Sequence, residues 1–373
     1  MRIAYFTETL PPLTDGVVNT LCHLINTLDE ERVDYRFFSP VRPDSRFHWN
    51  HRVHKIASLS LKPHFHYRIA LPYFHGIHDE LDAMRPDLIH VVTPSLLGLY
   101  GMNYAKKKNI PVVTSYHTHF VRYFPYYNLS PLKPLGWQYL EWFHNQCDCT
   151  YAPSRDTAEE LRHRGFRNVE IWPRGIASDR FSPDFRSEAL REQIGAKDKP
   201  ILLFVGRLVR EKDLDDLIEA NLILKAWGYD FKQVFVGNGP MREELGKHLP
   251  DAFFAGYQHG QDLAAWYASS DLFVFPSTTE TFGNVILEAF ASCLPVIGVD
   301  RGGQTDLIRE AVNGSITPAH DPEAFAGRIA ELLDDPEKRK ILGQNARETA
   351  GSYSWRRINE TLIQSYQNLI NLN

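Results

Sequence analysis

A chain of 373 residues is too long for one ordinary core and suits two domains of about 150 to 200 residues each. Its 41 Lys and Arg against 46 Asp and Glu leave a formal charge of −5, which argues against a general nucleic-acid binder; 43% hydrophobic and 23% charged residues exclude a disordered chain. Four cysteines, Cys22, Cys147, Cys149 and Cys293, are too few and too badly spaced for a disulfide scaffold or a zinc site, as expected of reduced cytoplasmic thiols.

The first residues, MRIAYFTETLPP, place Glu8 and two prolines where a signal peptide would be apolar. No apolar run anywhere reaches the ~18 residues of a membrane span. The expectation is a cytoplasmic protein whose membrane contact, if any, is peripheral. Arg2–Thr7 reads as a short strand, followed by a loop through Pro11, Pro12 and Gly16 and a helix with Val17, Leu21, Leu24 and Leu28 facing inward. Seven of the sixteen histidines fall between His48 and His78. Residues 1–185 carry 21 basic against 19 acidic groups, so this front half suits an anionic partner, although a solvated surface explains it equally. Leu88–Val92 and Val112–Tyr116 read as strands around a helix at Leu96–Lys107, and Thr150–Ala152 as a strand before a helix opening at Ser154.

Pro173, Gly175, Pro183, Gly195 and Pro200 then punctuate a polar linker. The rhythm restarts beyond it. Strands are expected at Ile201–Val205, Gln233–Val236, Leu272–Phe275 and Val296–Val299, and helices at Asp213–Lys225, Met241–Leu249 and Asn284–Ser292. A final helix is expected from about Trp355 to Leu372. Alternating strands and helices imply two doubly wound parallel sheets, with ligands at the carboxyl ends of the strands.

Four clusters fall on the turns that follow strands. Gly206-Arg207 with Lys212 supplies backbone access and two cations for phosphate oxygens, although exposed charges fit a solvated surface as well. Gly237-Asn238-Gly239-Pro240 fits a phosphate or base edge and equally a tight turn, while Arg242 breaks the G-x-G-x-x-G dinucleotide pattern. Pro276 to Asn284 reads PSTTETFGN and opens a helix carrying Glu288, with Asp300 to Gln304 forming another glycine-rich turn beyond it. That helix start is an anion site; Glu280 can accept from hydroxyls, and Glu288 from the vicinal diol of a ribose. In the front half, Asp15-Gly16-Val17 forms the first turn and Tyr116-His117-Thr118-His119 ends a strand. The two histidines alternate faces if extended, so a shared metal is not expected.

The spacing Glu280-x7-Glu288 within TETFGNVILEA resembles glycosyltransferase family 4, the retaining nucleotide-sugar glycosyltransferases of GT-B fold. So do Gly206-Arg207 with Lys212, the Gly237-x-Gly239-Pro240 turn, Gly302-Gly303 and Gly16. The resemblance implies an α/β, GT-B architecture: two facing Rossmann-like doubly wound domains with a cleft between them. Residues 1–180, with a helix at 353–373 crossing back, would form the acceptor side, and 186–350 the nucleotide-sugar-binding side. It implies that Arg207 and Lys212 neutralise the donor diphosphate and that Glu288 holds the ribose. Glu280, with the backbone at Thr281, Phe282, Gly283 and Asn284, would hold the donor sugar. His117 would lie beside the transferred sugar, Gly16, Gly206 and Gly239 would admit close backbone approach, and Tyr257 would lie near the base. No cofactor and no metal are implied, the nucleotide sugar being a co-substrate. Trp172-Pro173-Arg174-Gly175-Ile176 matches the interdomain motif, but Ala177 stands where the family commonly has an acid.

The stretch Phe120 to Phe143 interleaves aromatics with cations. Arg122, Tyr123, Phe124, Tyr126, Tyr127, Lys133 and Trp137 suit a lipid headgroup layer, and a buried helix with an aromatic loop explains them equally. The front half is similar to those of bacterial glycolipid enzymes of the family, including sulfoquinovosyl diacylglycerol synthases and glycolipid α-mannosyltransferases. The expected reaction is therefore hexosyl transfer from a UDP- or GDP-linked sugar to a lipid or glycolipid at an anionic membrane surface. Competing expectations are a soluble sugar or polysaccharide acceptor, a nucleotide-sugar epimerase and a nucleotide-sugar-binding protein without transfer.

Overall fold

The computed structural model describes residues 1–13, 15–60, 68–73, 76–119, 121, 124, 130–177 and 179–372. Short runs of β-branched and aromatic residues, apolar on both faces, become central strands because only a sheet covered on both sides can bury them. They gather into two units: Met1–Val121, Ser130–Arg174 and Trp355–Asn373 form unit 1, and Gly175–Ser354 belongs to unit 2.

Unit 1 contains β1 (Arg2–Phe6), β2 (Asp34–Ser39), β3 (Val53–Lys55), β4 (Ser58–Ser60), β5 (Arg68–Ala70), β6 (Leu88–Val91), β7 (Val112–Ser115), β8 (Cys149–Ala152) and β9 (Val169–Ile171). Seven of them form one sheet in the order β3-β2-β1-β6-β7-β8-β9, and every pair is parallel. Only β4 and β5 pair antiparallel, as a separate two-stranded sheet. Unit 2 contains β10 (Ile201–Val205), β11 (Lys232–Val236), β12 (Phe253–Gly256), β13 (Leu272–Val274), β14 (Val296–Val299) and β15 (Gly314–Thr317), all parallel in the order β12-β11-β10-β13-β14-β15. In each sheet the winding reverses beside the first strand, between β1 and β6 and between β10 and β13. Loops leaving those carboxyl ends must diverge, which opens a crevice there.

Both sheets are covered by helices, and unit 2 closes one large core around Phe204, Phe235, Phe273 and Phe290. The helix Trp355–Leu372 follows unit 2 in sequence yet packs in unit 1. Its Leu362, Ile363 and Tyr366 join Leu21, Leu24 and Leu28 of the helix Gly16–Glu30 in one cluster, while Val17 lies at its edge. Tyr366 Oη lies 2.6 Å from Nδ1 of the buried His90, whose Nε2 lies 2.5 Å from Ser115 Oγ. Trp355 stacks on His23 at 4.6 Å.

Several elements carried too little pattern to be placed beforehand, including β2, β3, β9, β12 and β15. The His-rich stretch supplies β3, β4 and β5, with residues 61–67, 74 and 75 outside the described residues. Three of its described histidines meet carboxylates of the same unit, His48 with Asp29 at 2.9 Å, His78 with Asp82 at 3.6 Å and His54 with Glu80 at 4.0 Å, while His51 Nδ1 lies 2.8 Å from His48 O.

Candidate active site

The carboxyl end of β10 runs into Gly206 at φ +158°, and β11 into Gly237 at φ +132°. The two turns nearly touch. A Cβ on Gly237 would lie 1.9 Å from the Gly206 carbonyl oxygen, and one on Gly239 2.2 Å from that of Leu208. Leu208 N–H donates to Asn238 O and Met241 N–H to Leu208 O, both at 3.0 Å, so the Gly237–Pro240 turn is stitched to the Arg207–Lys212 loop. Only glycine permits this backbone contact.

The loop after β13 is tied to the same place. Asp213, at φ +52°, accepts from Thr278 N–H at 2.7 Å and from its hydroxyl at 2.8 Å, and Thr279 Oγ1 donates to Glu211 O at 2.7 Å. From the other side, Gly303 N–H donates to Glu280 O at 2.8 Å, and Gln304 Nε2 to Ser277 O at 2.7 Å. A Cβ on Gly302 would lie 2.7 Å from Glu280 O, and one on Gly303 2.3 Å from Thr281 O. Four strand-end turns are therefore locked around Glu280.

Within this frame Arg207 leaves 54% of its side chain exposed while its Nη2 meets the buried Glu211 carboxylate at 3.2 Å. Lys212 is only 12% exposed and forms an ion pair with Glu280, its ammonium also 5.7 Å from the Phe275 ring centroid. Gly283, at φ +100°, starts the helix Asn284–Ala291 without a side-chain cap, so that helix presents its first N–H groups and the positive end of its dipole at the loop carrying Glu280. Phe282 is buried and meets Tyr353 edge-on at 6.0 Å, which holds the loop to its own unit. Among the described residues no group of three or more His, Cys, Asp or Glu is placed to hold a metal ion.

Glu288 stands on that helix beyond Gly283. Burial raises its carboxyl to about 7, against a smaller opposing effect of the Tyr267 hydroxyl, which donates to Oε2 at 2.8 Å. Tyr267 is thus a protein partner for this carboxylate. Tyr257 is exposed just after Gly256, whose carbonyl accepts from Gly237 N–H at 2.8 Å.

In unit 1, Gly16 is the first residue of its helix and Asp15 its cap, accepting from Val18 N–H at 2.8 Å. His117 and His119 do diverge. His119 is fully buried near Tyr116 and Thr157, whereas His117 Nδ1 lies 2.8 Å from Arg174 Nη2. Burial first, then the Arg174 charge and His90, hold His117 well below the usual histidine range.

The aromatic stretch divides. Arg122, Tyr123, Tyr126 and Tyr127 lie outside the described residues. Phe124 is partly buried, and Lys133 begins the helix Lys133–His144. Trp137 is engaged within unit 1, its ring 3.9 Å from the Arg164 guanidinium carbon and 6.5 Å from Phe166. The exposed apolar face of this helix is instead Leu135, Tyr139 and Trp142, spaced i, i+4, i+7. No helix among the described residues is long and apolar enough to cross a membrane.

Sequence reasoning missed Glu211, Asp213, Tyr267, Gln304 and the His117–Arg174 contact. Asp213 alone carried a signal, being an acid at a helix start, where the left-handed backbone it adopts is tolerated.

Residues 14–180 match the family model described as Glycosyltransferase Family 4, and residues 186–349 that described as Glycosyl transferases group 1. The chain is 33% identical over 385 aligned residues to a GDP-mannose-dependent alpha-mannosyltransferase of Corynebacterium glutamicum, covering 100% of this chain and 90% of that one. It is 35% identical over 294 residues to the sulfoquinovosyl transferase SQD2 of Arabidopsis thaliana, covering 74% and 56%. HepE of Anabaena, solved in complex with UDP, superposes with a TM-score of 0.79 at 18% identity, over 99% of this chain and 100% of that one. Fold and site together define a GT-B nucleotide-sugar enzyme. The chain belongs to glycosyltransferase family 4.

Proposed function

We propose that this glycosyltransferase moves a hexosyl group, with retention of anomeric configuration and without a metal, from a UDP- or GDP-linked sugar to a lipid acceptor such as diacylglycerol or a glycolipid. The observation that carries the donor reading is the meeting of Arg207, Lys212 and Glu280 with an uncapped helix start on interlocked glycine turns.

Breaking the bond between the anomeric carbon and the β-phosphate oxygen leaves its electron pair on the phosphate and makes the sugar cationic. Arg207, Lys212 and the N–H groups after Gly283 stabilise that phosphate charge without reorganising, which is where fixed dipoles act most strongly. Glu280, with the backbone of Thr281, Phe282 and Gly283, holds the sugar hydroxyls. Glu288 takes the ribose diol, Tyr257 lies against the base, and Gly16, Gly206 and Gly239 admit the nucleotide's close approach. His117 contributes beside the transferred sugar. The acceptor hydroxyl oxygen bonds to the anomeric carbon on the face the phosphate leaves, and its proton passes to the departing phosphate oxygen.

Three observations support a lipid acceptor: the exposed face Leu135, Tyr139 and Trp142, the neighbouring Lys133, and the glycolipid-related relatives. An Alpha-monoglucosyldiacylglycerol synthase of Acholeplasma laidlawii is among them, at 24% identity over 95% of this chain. A cytoplasmic, peripheral location at an anionic membrane surface follows from this reading. The experiment is to incubate the protein with UDP- and GDP-sugars and a lipid extract, with and without chelator, and to determine the product's anomeric configuration. An α-linked glycolipid formed from an α-linked donor in chelator supports the reading. An inverted product, a need for metal, or transfer only to soluble sugars overturns the corresponding part.

A further inference from the structure

Arg174 is a buried cation with an unusual set of neighbours. Its side chain is 6% exposed, Nη1 donates to Trp172 O at 2.7 Å and Pro173 O at 3.2 Å, and its guanidinium carbon lies 5.1 Å from the Trp172 ring centroid. No carboxylate among the described residues lies within ion-pair distance of it. Its remaining directed contact is Nη2 to His117 Nδ1, at 2.8 Å. A guanidinium has five N–H donors and no acceptor, so the imidazole nitrogen in that bond must offer its lone pair. Valence then places the proton of a neutral His117 on Nε2.

We propose that Arg174 is a positioning residue that locks His117 in the Nε2–H tautomer, making this histidine a permanent hydrogen-bond donor and never a proton acceptor. The guanidinium also withdraws charge from the ring through Nδ1, which strengthens the N–H on the far side, as charge-assisted bonds polarise their neighbours. Arg174 is itself aimed. Its two carbonyl acceptors come from its own preceding residues, and Trp172 is held by Asn359, which accepts from Trp172 Nε1 at 3.3 Å. Asn359 stands on the helix Trp355–Leu372 and donates to Thr27 Oγ1 at 3.2 Å. A line of directed contacts thus runs from that helix to one histidine proton. His90 acts on His117 in the same sense as Arg174, and both disfavour an imidazolium there. The consequence for catalysis rests on the reading of His117 as a donor-sugar contact: the ring can give a hydrogen bond to a sugar oxygen and cannot abstract the acceptor's proton.

The test is the two-bond ¹H–¹⁵N spectrum of the full chain labelled in histidine, with His117 identified by its loss in His117→Asn. Wild type is expected to show protonated Nε2 and bare Nδ1. Arg174→Met is expected to relax His117 to exchanging tautomers and to lower kcat by about 10- to 100-fold, with a smaller change in KM. Arg174→Lys, which also only donates, is expected to restore the wild-type tautomer and most of the lost rate. An Nδ1–H signal in wild type, or unchanged His117 signals in Arg174→Met, overturns the proposal. Should Arg174→Met not fold, the wild-type and Arg174→Lys spectra still decide it. Because the spectrum needs no substrate, failure to find transfer from any nucleotide sugar would count against the function and leave the tautomer standing.

Discussion

Arg207 and Lys212 carry the same charge into different surroundings. Arg207 leans on the buried Glu211 and keeps half its side chain in solvent, so its removal takes away the proposed phosphate contact and little packing. Arg207→Ala is therefore expected to keep the wild-type melting temperature within a degree or two while kcat falls about 100- to 1,000-fold, the usual cost of one fixed group at a developing charge. Glu280→Gln keeps the shape of the loop but loses the Lys212 ion pair and replaces one of the two acceptor oxygens proposed for sugar hydroxyls by an amide donor; a comparable loss of kcat is expected. Near-normal turnover in both variants would remove the site assignment.

Glu288 brings a pH dependence whose sign can be worked out. Its carboxyl titrates near 4.5 in an unfolded chain and at about 7 when buried. Between those values the folded form holds the proton more tightly, so folding loses stability as pH rises from about 4.5 to 7 and regains none above. Glu288→Gln removes this penalty. The variant is expected to melt above wild type at pH 8 and to lose that advantage near pH 4, while on the proposed function nucleotide affinity falls because the diol meets one acceptor oxygen and an amide N–H in place of a carboxylate. Thermal melts and nucleotide titrations at both pH values check the pair of effects.

At the level of turns and helices, glycine positions separate by what a methyl group would meet. Gly237→Ala would drive a Cβ into the Gly206 carbonyl at φ +132°, and a loss of about 3 kcal/mol in urea unfolding is expected, with nucleotide binding lost as the two turns separate. Gly327, inside the helix Pro322–Asp334, has nothing within 4 Å of its Cβ position, and Gly327→Ala is expected to stabilise by about 0.5 to 1 kcal/mol.

The same contrast explains what could be read from the chain beforehand. Ile201–Val205 and Val296–Val299 announced themselves because strands buried on both faces leave runs without polar side chains, and both bounds agree with the structure. β2 did not, since DYRFFS begins with polar residues at its exposed end. The helix Gly260–Ala268 is broken in pattern by its own glycine start. At the site, the glycines and cations were visible because chemistry demands those residue types. Tyr267 beneath Glu288 and Arg174 beside His117 were not, because a buried tyrosine or arginine has no sequence pattern until folding supplies its partner.

Over the whole molecule, two units with separate cores should melt as two transitions. If unit 2 holds most of the nucleotide, as proposed, the ligand should raise that unit's transition more than the other, by about 2.7 kcal/mol at a hundredfold excess over Kd. Tyr366→Phe should lower only the other, by roughly 1 to 3 kcal/mol, because it strips a buried partner from His90 Nδ1. Calorimetry of both samples tests the assignment, and a single shared transition shifted by both would contradict it.

The placement of the helix Trp355–Leu372 also bears on synthesis. While the chain leaves the ribosome, unit 2 is fully translated before the amino-terminal sheet receives the segment that completes its packing. Biogenesis therefore runs against the order of the coding sequence, since domains generally fold as units when their own residues are available. Translation arrested after Ser354 would release a molecule whose unit 2 is complete, with an amino-terminal half still exposing the apolar seam meant for Leu362, Ile363 and Tyr366 and open to capture by chaperones.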